Sequence, residues 1–297
     1  MALPVITNKI GVIVDSFQVG VKQGLLKAQQ VGAEGVQIYA VKGEMDPAGL
    51  SPAARKEWRD YIQSLGLEIS ALVGDLGGHG FQDPAQNREK IDKSKRIMEL
   101  GMELGTNIIT THIGIVPDDK NSRIYETMHN ACAELSQFAS DMNAYFAIET
   151  GPETAAHLKS FLDGLGSKGV SVNFDPANMV MVTGDDPVQG VYTLKDYIVH
   201  THAKDGVKLV DYIDPRDVYG SFGYEAELDH EKIAAMAESG PSFREVPLGE
   251  GGVDWPAYLQ ALKDIGYNGF LTIEREVGTN PEGDIQMAVE FLKKFRG

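Results

Sequence analysis

The stretch Ile10-Gly11-Val12-Ile13-Val14-Asp15-Ser16-Phe17-Gln18 contains the first predicted strand and the turn that follows it. The apolar run Ile10–Val14 predicts a buried strand. A doubly wound dinucleotide-binding fold needs a glycine-rich turn directly after this strand, because the backbone there must approach a pyrophosphate group. The segment from Asp15 to Gln18 contains no glycine. The sequence therefore favours the other fold of alternating strands and helices, the closed (β/α)8 barrel.

The rest of the chain alternates similar strands with segments of helical period. Further short apolar runs predict strands at Gly35–Ala40, Leu67–Val73, Asn107–His112, Tyr145–Thr150, Val170–Phe174, Tyr197–Ala203 and Gly269–Glu274. A glycine that can close a helix in the left-handed conformation precedes four of these strands, at Gly32, Gly66, Gly105 and Gly266. Eight strand–helix units in 297 residues predict one α/β domain, a (β/α)8 TIM barrel over residues 1–297.

A long insertion interrupts this alternation after the seventh strand, at about 205–254. Ordinary connections of this kind have about 2–6 residues. A long loop after a barrel strand lies at the mouth of the active site, so the insertion predicts either a wall of the substrate pocket or a subunit contact. Its arginines, Arg216 and Arg244, are candidate substrate-binding residues, since one arginine would suffice to hold a phosphate group.

The composition limits the classes of partner. The chain has 27 Lys and Arg against 43 Asp and Glu, a net charge of −16. This balance opposes binding to nucleic acid or to an anionic membrane surface, because both require clustered cations. A single cysteine, Cys132, lies in an apolar helical stripe and is expected to be buried. With no signal-peptide pattern and no apolar stretch of about 20 residues, we expect a cytoplasmic protein with no membrane partner.

Each of the last four predicted strands ends in a side chain that can bind a metal ion, namely Glu149, Asp175, His202 and Glu274. Because the carboxyl ends of barrel strands meet at one mouth, we expect these side chains to converge there. Three clustered carboxylates without a cation would repel one another and raise each other's pKa values. The set of three oxygen ligands and one nitrogen ligand predicts one divalent ion: Mn²⁺, Mg²⁺, Co²⁺ or Zn²⁺.

Several motifs resemble those of a known superfamily. They are Glu149, then Asn173-Phe174-Asp175-Pro176-Ala177-Asn178, then His202-Ala203-Lys204-Asp205, and the segments Pro247–Trp255 and Gly266–Glu274. Their order resembles the xylose isomerase-like TIM-barrel superfamily, and within it the sugar phosphate isomerase/epimerase branch. The resemblance implies that the four ligands hold a metal ion, and that Glu149 and Glu274 form the catalytic acid/base pair.

The implied enzyme is a metal-dependent isomerase or epimerase of a small sugar or polyhydroxy carbonyl compound. The reaction removes a proton next to the carbonyl through a metal-stabilised enediolate. Relatives commonly form homo-oligomers. Two residues at the same mouth, His112 and Lys204, are candidate substrate-binding residues. Where relatives carry a glutamate on the second strand, Gln37 cannot act as a base and is at most a hydrogen-bond partner of the substrate.

Other functions remain open. A dehydratase of the inosose or dehydroshikimate type would use the same metal site and the same proton abstraction, and a non-catalytic sugar-binding barrel would keep the site without the reaction. An endonuclease on this barrel is opposed by the net charge of −16. The glycine-rich stretch Gly74–Phe81 lacks the ending of a phosphate-binding loop. It predicts a flexible mouth loop in which His79 and Phe81 fold over the substrate.

Overall fold

A ring of parallel strands forms the centre of the protein, as seen in a computed structural model that describes residues 3–210 and 241–297. The eight strands of the ring are β1 (Ile10–Ile13), β2 (Gly35–Tyr39), β3 (Glu68–Val73), β4 (Ile108–Thr111), β5 (Tyr145–Glu149), β6 (Val170–Phe174), β7 (Ile198–Ala203) and β10 (Leu271–Ile273). The ring closes where β10 pairs in parallel with β1. The predicted (β/α)8 barrel is confirmed.

Helices surround the ring. In the described residues they are α1 (Val21–Gln30), α2 (Pro52–Ser64), α3 (Pro84–Leu104), α4 (Arg123–Asp141), α5 (Ala155–Leu162), α6 (Pro176–Asn178), α7 (Pro187–Leu194), α8 (Trp255–Asp264) and α9 (Pro281–Lys293). Several begin with a side-chain cap followed by proline, as at Ser51-Pro52 and Asp83-Pro84. This order suits a helix start, because proline lacks only an N–H group that the first turn leaves unpaired. None of these helices is both long and apolar enough to cross a membrane.

The apolar core lies between the strands and the helices. Cys132 on α4 is fully buried there, as predicted. The four glycines expected to close helices all have positive φ, from +74° at Gly66 to +101° at Gly105. Inside the ring the residues below the mouth are polar. Gln37, Thr110, Asn173, His200 and Thr272 are all buried, and they form the floor on which the site described below is built.

The two ends of the predicted insertion meet as an antiparallel hairpin of β8 (Asp205–Lys208) and β9 (Phe243–Val246). Residues 211–240, which include Arg216, lie outside the described residues. That the whole chain forms one domain therefore stays a prediction.

The carboxylate of Asp205 anchors this hairpin to the barrel. It is buried, and it accepts hydrogen bonds of 2.9–3.2 Å from the backbone N–H groups of Gly206, Gly249, Gly251 and Val253 and from the indole N–H of Trp255. One side chain thus orders the start of the insertion, the glycine-rich segment after it, and the first residue of α8.

We expect Asp205→Ala to lower the free energy of unfolding by at least ~3 kcal/mol, because several buried N–H donors would lose their acceptor. Asp254→Ala is the matched control. Asp254 caps α8 through one N–H group, that of Ala257, and its loss should cost about 1 kcal/mol. Urea unfolding of both variants measures the difference. Equal losses would show that the Asp205 network contributes little.

Candidate metal centre

Four side chains from consecutive strands of the ring meet at its carboxyl end. Glu149 is the last residue of β5, Asp175 directly follows β6, His202 lies on β7, and Glu274 directly follows β10. One potential ligand atom of each lies within 4.8 Å of the others, and all four residues are buried. The structure thus brings together the four residues that the sequence proposed as ligands.

The ligand atoms surround one point. The Nδ1 atom of His202 lies 3.3 Å from a carboxylate oxygen of Glu274 and 3.6 Å from oxygens of Glu149 and Asp175. Four ligands placed tetrahedrally about 2.1 Å from an ion would be about 3.4 Å apart. His202 Nδ1 and Asp175 Oδ2 are buried and lack a hydrogen-bond partner among the described residues. These orphaned atoms fit a divalent cation.

The electrostatics of the metal-free chain agree with this fit. Burial opposes a charge on His202, but Glu274 and Glu149 raise its pKa well above the ordinary value. Burial also opposes ionisation of Glu274, yet Lys204 and His202 hold its pKa well below the ordinary value. Burial raises the pKa of Asp175. Positive charge at this point is therefore strongly favoured, and an ion bound there would compete with the proton of His202.

Gln37 on β2 fixes which nitrogen of His202 faces the carboxylates. Its amide nitrogen donates to the hydroxyl of Thr110 at 2.8 Å, and that hydroxyl donates to the carbonyl of Leu72 at 3.5 Å. The amide oxygen of Gln37 therefore faces His202 Nε2 at 3.1 Å, and the amide nitrogen of Asn173 lies 3.2 Å from the same atom. A neutral ring that donates its Nε2 hydrogen to Gln37 has its lone pair on Nδ1, where an ion would bind. Sequence reasoning assigned Gln37 at most a substrate contact and missed this role.

Two asparagines hold Glu149. The amide of Asn178 donates to its Oε1 atom at 2.9 Å, and the amide of Asn173 donates to its Oε2 atom at 3.2 Å. The oxygen of Asn173 faces His200 Nδ1 at 2.8 Å. Burial would raise the pKa of Glu149, but the neighbouring rings of His202 and His112 lower it below the ordinary value. The Asn-x-Asp-x-x-Asn pattern was the signal in the sequence that could have revealed this support.

Lys204 forms an ion pair with Glu274, the second glutamate of the cluster. Its ammonium group is buried and lies 2.9 Å from Glu274 and 2.5 Å from Glu276. Burial opposes this charge, but Glu274 and Asp175 raise the pKa of Lys204 well above the ordinary value. Lys204 thus lines the pocket, where the sequence placed it, as a permanently charged partner of Glu274.

His112 lies at the rim of the same pocket, a cavity of about 190 Å³. Its Nδ1 atom is 3.0 Å from Asp75, and its Nε2 atom is 3.8 Å from Glu149. Burial disfavours the imidazolium, but Glu149 and Asp75 outweigh this effect and raise the pKa of His112 to about 9. A hydrogen-bond donor therefore faces the pocket at neutral pH. Asp75, which follows β3, was not identified from the sequence.

The sequence also made expectations for Phe81 and for two arginines, and their outcomes differ. Phe81 was expected to fold over the substrate, but it is buried and packs edge-on against Phe146, so that prediction is wrong. Arg244 lies on β9 with an exposed side chain and is not among the residues that line the pocket at Glu149. Arg216, the other candidate, falls in 211–240, outside the described residues. No arginine in the described ranges lines this pocket.

We expect Gln37→Met to weaken binding of Mn²⁺ by about 10- to 100-fold, because the variant no longer fixes the ring of His202. Gln37→Glu keeps an acceptor for Nε2–H and should stay nearer the parent, and Asp175→Ala serves as the reference without an essential ligand. Isothermal titration of the metal-free proteins with Mn²⁺ measures the affinities. Unchanged affinity in Gln37→Met would refute the relay from Thr110 through Gln37 to His202.

Replacing Asp75 should change the titration of His112. In Asp75→Asn the imidazolium loses one neighbouring carboxylate, so the pKa of His112 should fall from about 9 towards its ordinary value. Two-dimensional NMR of the metal-free protein follows the ring nitrogens during a pH titration. If the pKa of His112 is the same in both proteins, Asp75 does not stabilise the imidazolium.

The amino-acid sequence is similar to those of several known proteins. An uncharacterised protein of Methanocaldococcus jannaschii is 24% identical over 238 residues, which are 74% of this chain and 67% of that protein. An inosose dehydratase of Lacticaseibacillus casei is 28% identical over 127 residues, which span only 37% of that enzyme and 43% of this chain.

Solved structures extend the similarity to the whole chain. The crystal structure of a xylose isomerase domain protein from Planctomyces limnophilus matches with a TM-score of 0.75 and 25% identity, covering 98% of this chain and 97% of that one. A D-psicose 3-epimerase from Clostridium cellulolyticum matches with a TM-score of 0.70 at 17% identity, covering 97% and 99%. The sequence model described as the xylose isomerase-like TIM barrel matches residues 25–295, so the chain belongs to that family.

Proposed function

We propose that the protein is a divalent-metal-dependent isomerase or epimerase of a small, neutral polyhydroxy carbonyl compound. The observation that carries the proposal is the meeting of Glu149, Asp175, His202 and Glu274 around one point, with Nδ1 of His202 and Oδ2 of Asp175 orphaned. The bound ion would polarise a carbonyl group and offset the negative charge that develops when a neighbouring proton is removed. The remaining chemistry belongs to the chain's own side chains.

Glu149 and Glu274 have the roles of acid and base. They end strands that are three steps apart in the ring, so a substrate between them would present different faces to the two carboxylates. Both have lowered pKa values, for which the surrounding cationic groups are responsible, so both are ionised at neutral pH. In epimerisation one carboxylate removes the proton next to the carbonyl and later releases it to solvent, while the other delivers a solvent proton to the opposite face. In isomerisation the first glutamate returns its own proton to the adjacent carbon.

The charge of the pocket favours a neutral substrate. Besides the proposed ligands, the carboxylates of Asp75 and Glu276 line it. Its cations are Lys204 and His112, and both are already engaged by carboxylates. A phosphate group would meet more negative than unpaired positive charge among the described residues. We therefore infer an unphosphorylated sugar or related polyol, in which hydroxyl groups donate to the carboxylates.

A second candidate reaction is dehydration. The protonated ring of His112, with its pKa raised to about 9 by Glu149 and Asp75, could give a proton to a leaving hydroxyl group. Glu149 would take the proton from carbon, the C–O bond would break, and water would leave with the proton from His112. Two curated relatives from Lacticaseibacillus casei are named inosose dehydratases, which also makes this reaction worth testing. A sugar-binding barrel without catalysis is the remaining alternative.

One experiment separates these three functions. The Mn²⁺-loaded protein is incubated in D₂O with a panel of ketoses, inososes and dehydroshikimate, and the products are analysed by NMR and mass spectrometry. Deuterium in a product of unchanged composition supports the isomerase or epimerase. Loss of one water supports the dehydratase. Bound metal without exchange or conversion of any compound would contradict both enzymes and favour a binding protein.

We expect Glu149→Gln and Glu274→Gln each to lower kcat by at least ~10²-fold, as for loss of a positioned acid or base. Glutamine keeps one oxygen for the ion, so metal affinity should fall less than in Asp175→Ala. The exposed Glu99→Gln on α3 is the control for removal of a negative charge. Full turnover in both active-site variants would assign proton transfer to another group and end the two-glutamate mechanism.

A further inference from the structure

A second cavity, of about 280 Å³, adjoins the metal pocket on the side of β3, β4 and β5. The two cavities share Asp75, His112 and Glu149, so they are continuous at the rim of the proposed centre. The second cavity lies under the loop from Gly77 to Gln82. The reaction proposed above does not use it, since proton transfer needs only the groups around the ion.

Hydrogen bonds within the chain fix the loop that covers the second cavity, and they form without a ligand. Lys90 donates to the carbonyls of Gly77 and Gly80, at 3.0 and 2.6 Å. The backbone N–H of Phe81 donates to the carbonyl of Ile113 at 2.9 Å. The loops approach so closely that a Cβ atom on Gly80 would lie 1.9 Å from the backbone of Ile113. The loop that the sequence predicted to be flexible is thus tied down, and the cavity is preformed.

Two buried side chains that line the cavity leave acceptor oxygens unused. The amide of Gln82 donates to the carbonyl of Ile115 at 2.9 Å, but its Oε1 atom is buried without a hydrogen-bond partner among the described residues. The carboxylate of Glu153, 7% exposed, accepts from the N–H of Val116 at 2.6 Å through Oε1. No hydrogen bond within 3–210 and 241–297 engages its Oε2 atom. Both side chains are anchored on the same peptide group, the one that joins Ile115 to Val116: Gln82 binds its carbonyl and Glu153 binds its N–H.

The lining also includes apolar side chains, those of Ile113, Ile115, Ile148 and Pro152. A sugar ring offers C–H groups to an apolar wall and hydroxyl donors to free acceptor oxygens. An anionic substituent would instead meet the carboxylate of Asp75 and the carboxyl group of Glu153, whose pKa burial raises to about 7. An alkyl or aryl substituent would leave the free oxygen of Glu153 without a hydrogen-bond donor, which costs free energy.

We propose that the second cavity is a subsite for a glycosyl group attached to the carbonyl compound held at the metal centre. The subsite rests on the proposed function for the position of the carbonyl end, and it narrows the substrate class from simple monosaccharides to glycosylated keto sugars. Glu153 accepts a hydroxyl group of the second ring through its free oxygen, and Gln82 fixes the cavity wall through the carbonyl of Ile115. His112, Asp75 and Glu149 lie where the two halves of the substrate join.

The test compares a ketose with its glycosylated forms. Isothermal titration measures binding of fructose, and of lactulose, turanose and isomaltulose, to the Mn²⁺-loaded protein. The three disaccharides carry a glycosyl group on different oxygens of fructose. At least one should bind about 10-fold more tightly than fructose, as expected for added hydrogen bonds to the polar groups of the subsite. Equal or weaker binding of all three would overturn the subsite.

Two variants locate the effect. Glu153→Gln keeps the oxygen that accepts from Val116 but replaces the free one, so it should remove the advantage of the disaccharide and leave fructose binding unchanged. Ile115→Trp should fill the cavity and have the same selective effect. Glu126→Gln, an exposed substitution on α4, removes the same charge elsewhere and should change neither affinity. If the first two variants weaken fructose and disaccharide equally, the subsite is refuted.

Failure of the proposed function would look different. Tight, Glu153-dependent binding of a disaccharide without deuterium exchange in any compound would keep the subsite and remove the catalytic proposal. Exchange into free ketoses, with no preference for the glycosylated forms, would do the opposite.

Discussion

Three carboxylates buried around one imidazole nitrogen are the constraint on which the rest of this structure depends. A buried carboxylate loses the hydration that stabilises its charge, and neighbouring carboxylates repel it further. Such a cluster is stable only with positive charge at its centre and hydrogen-bond donors at its edge. The donors are Asn173, Asn178 and Lys204, and the inside of the barrel below them is polar for the same reason. The buried carboxylate cluster and its hydrogen-bond donors therefore lie where the barrel can bind a cation.

The alternation of a β-strand explains how one segment performs several of these tasks. Residues two apart on a strand share a face, so His200 and His202 on β7 both point into the barrel. His202 reaches the carboxylates, and His200 lies below it, between Asn173 and Thr272. Thr201, between the two histidines, faces outward and hydrogen-bonds to Tyr258 on α8. The strand that carries a proposed ligand is therefore fixed both to the polar floor and to the surrounding helices.

The sequence revealed the parts of this protein that depend on local pattern. Strand ends are local, so Glu149, Asp175, His202 and Glu274 could be found from apolar runs that stop at a polar residue, and the barrel placed them together. The partners of these residues could not be found in that way. Gln37 and His202 are 165 positions apart, and no local pattern predicts that an amide on β2 orients a ring on β7. The prediction for Phe81 was wrong for a related reason. Its ring packs on Phe146 of β5, and the glycine-rich sequence around Phe81 gives no sign of this long-range contact.

The two glutamates at the centre are not equivalent, and the difference bears on the proposed chemistry. Lys204 holds the pKa of Glu274 well below its ordinary value, whereas the direct donors to Glu149 are neutral amides. Glu149 is thus the better proton acceptor, and it lies beside His112, a proton donor at neutral pH. Isomerisation, epimerisation and dehydration can all begin with proton removal on the Glu149 side. In the proposed mechanism, the outcome then depends on whether the substrate places a leaving hydroxyl within reach of His112 or presents its carbon to the Lys204–Glu274 pair. One asymmetric site would therefore support either reaction, and the substrate's shape in the two adjoining cavities would select between them.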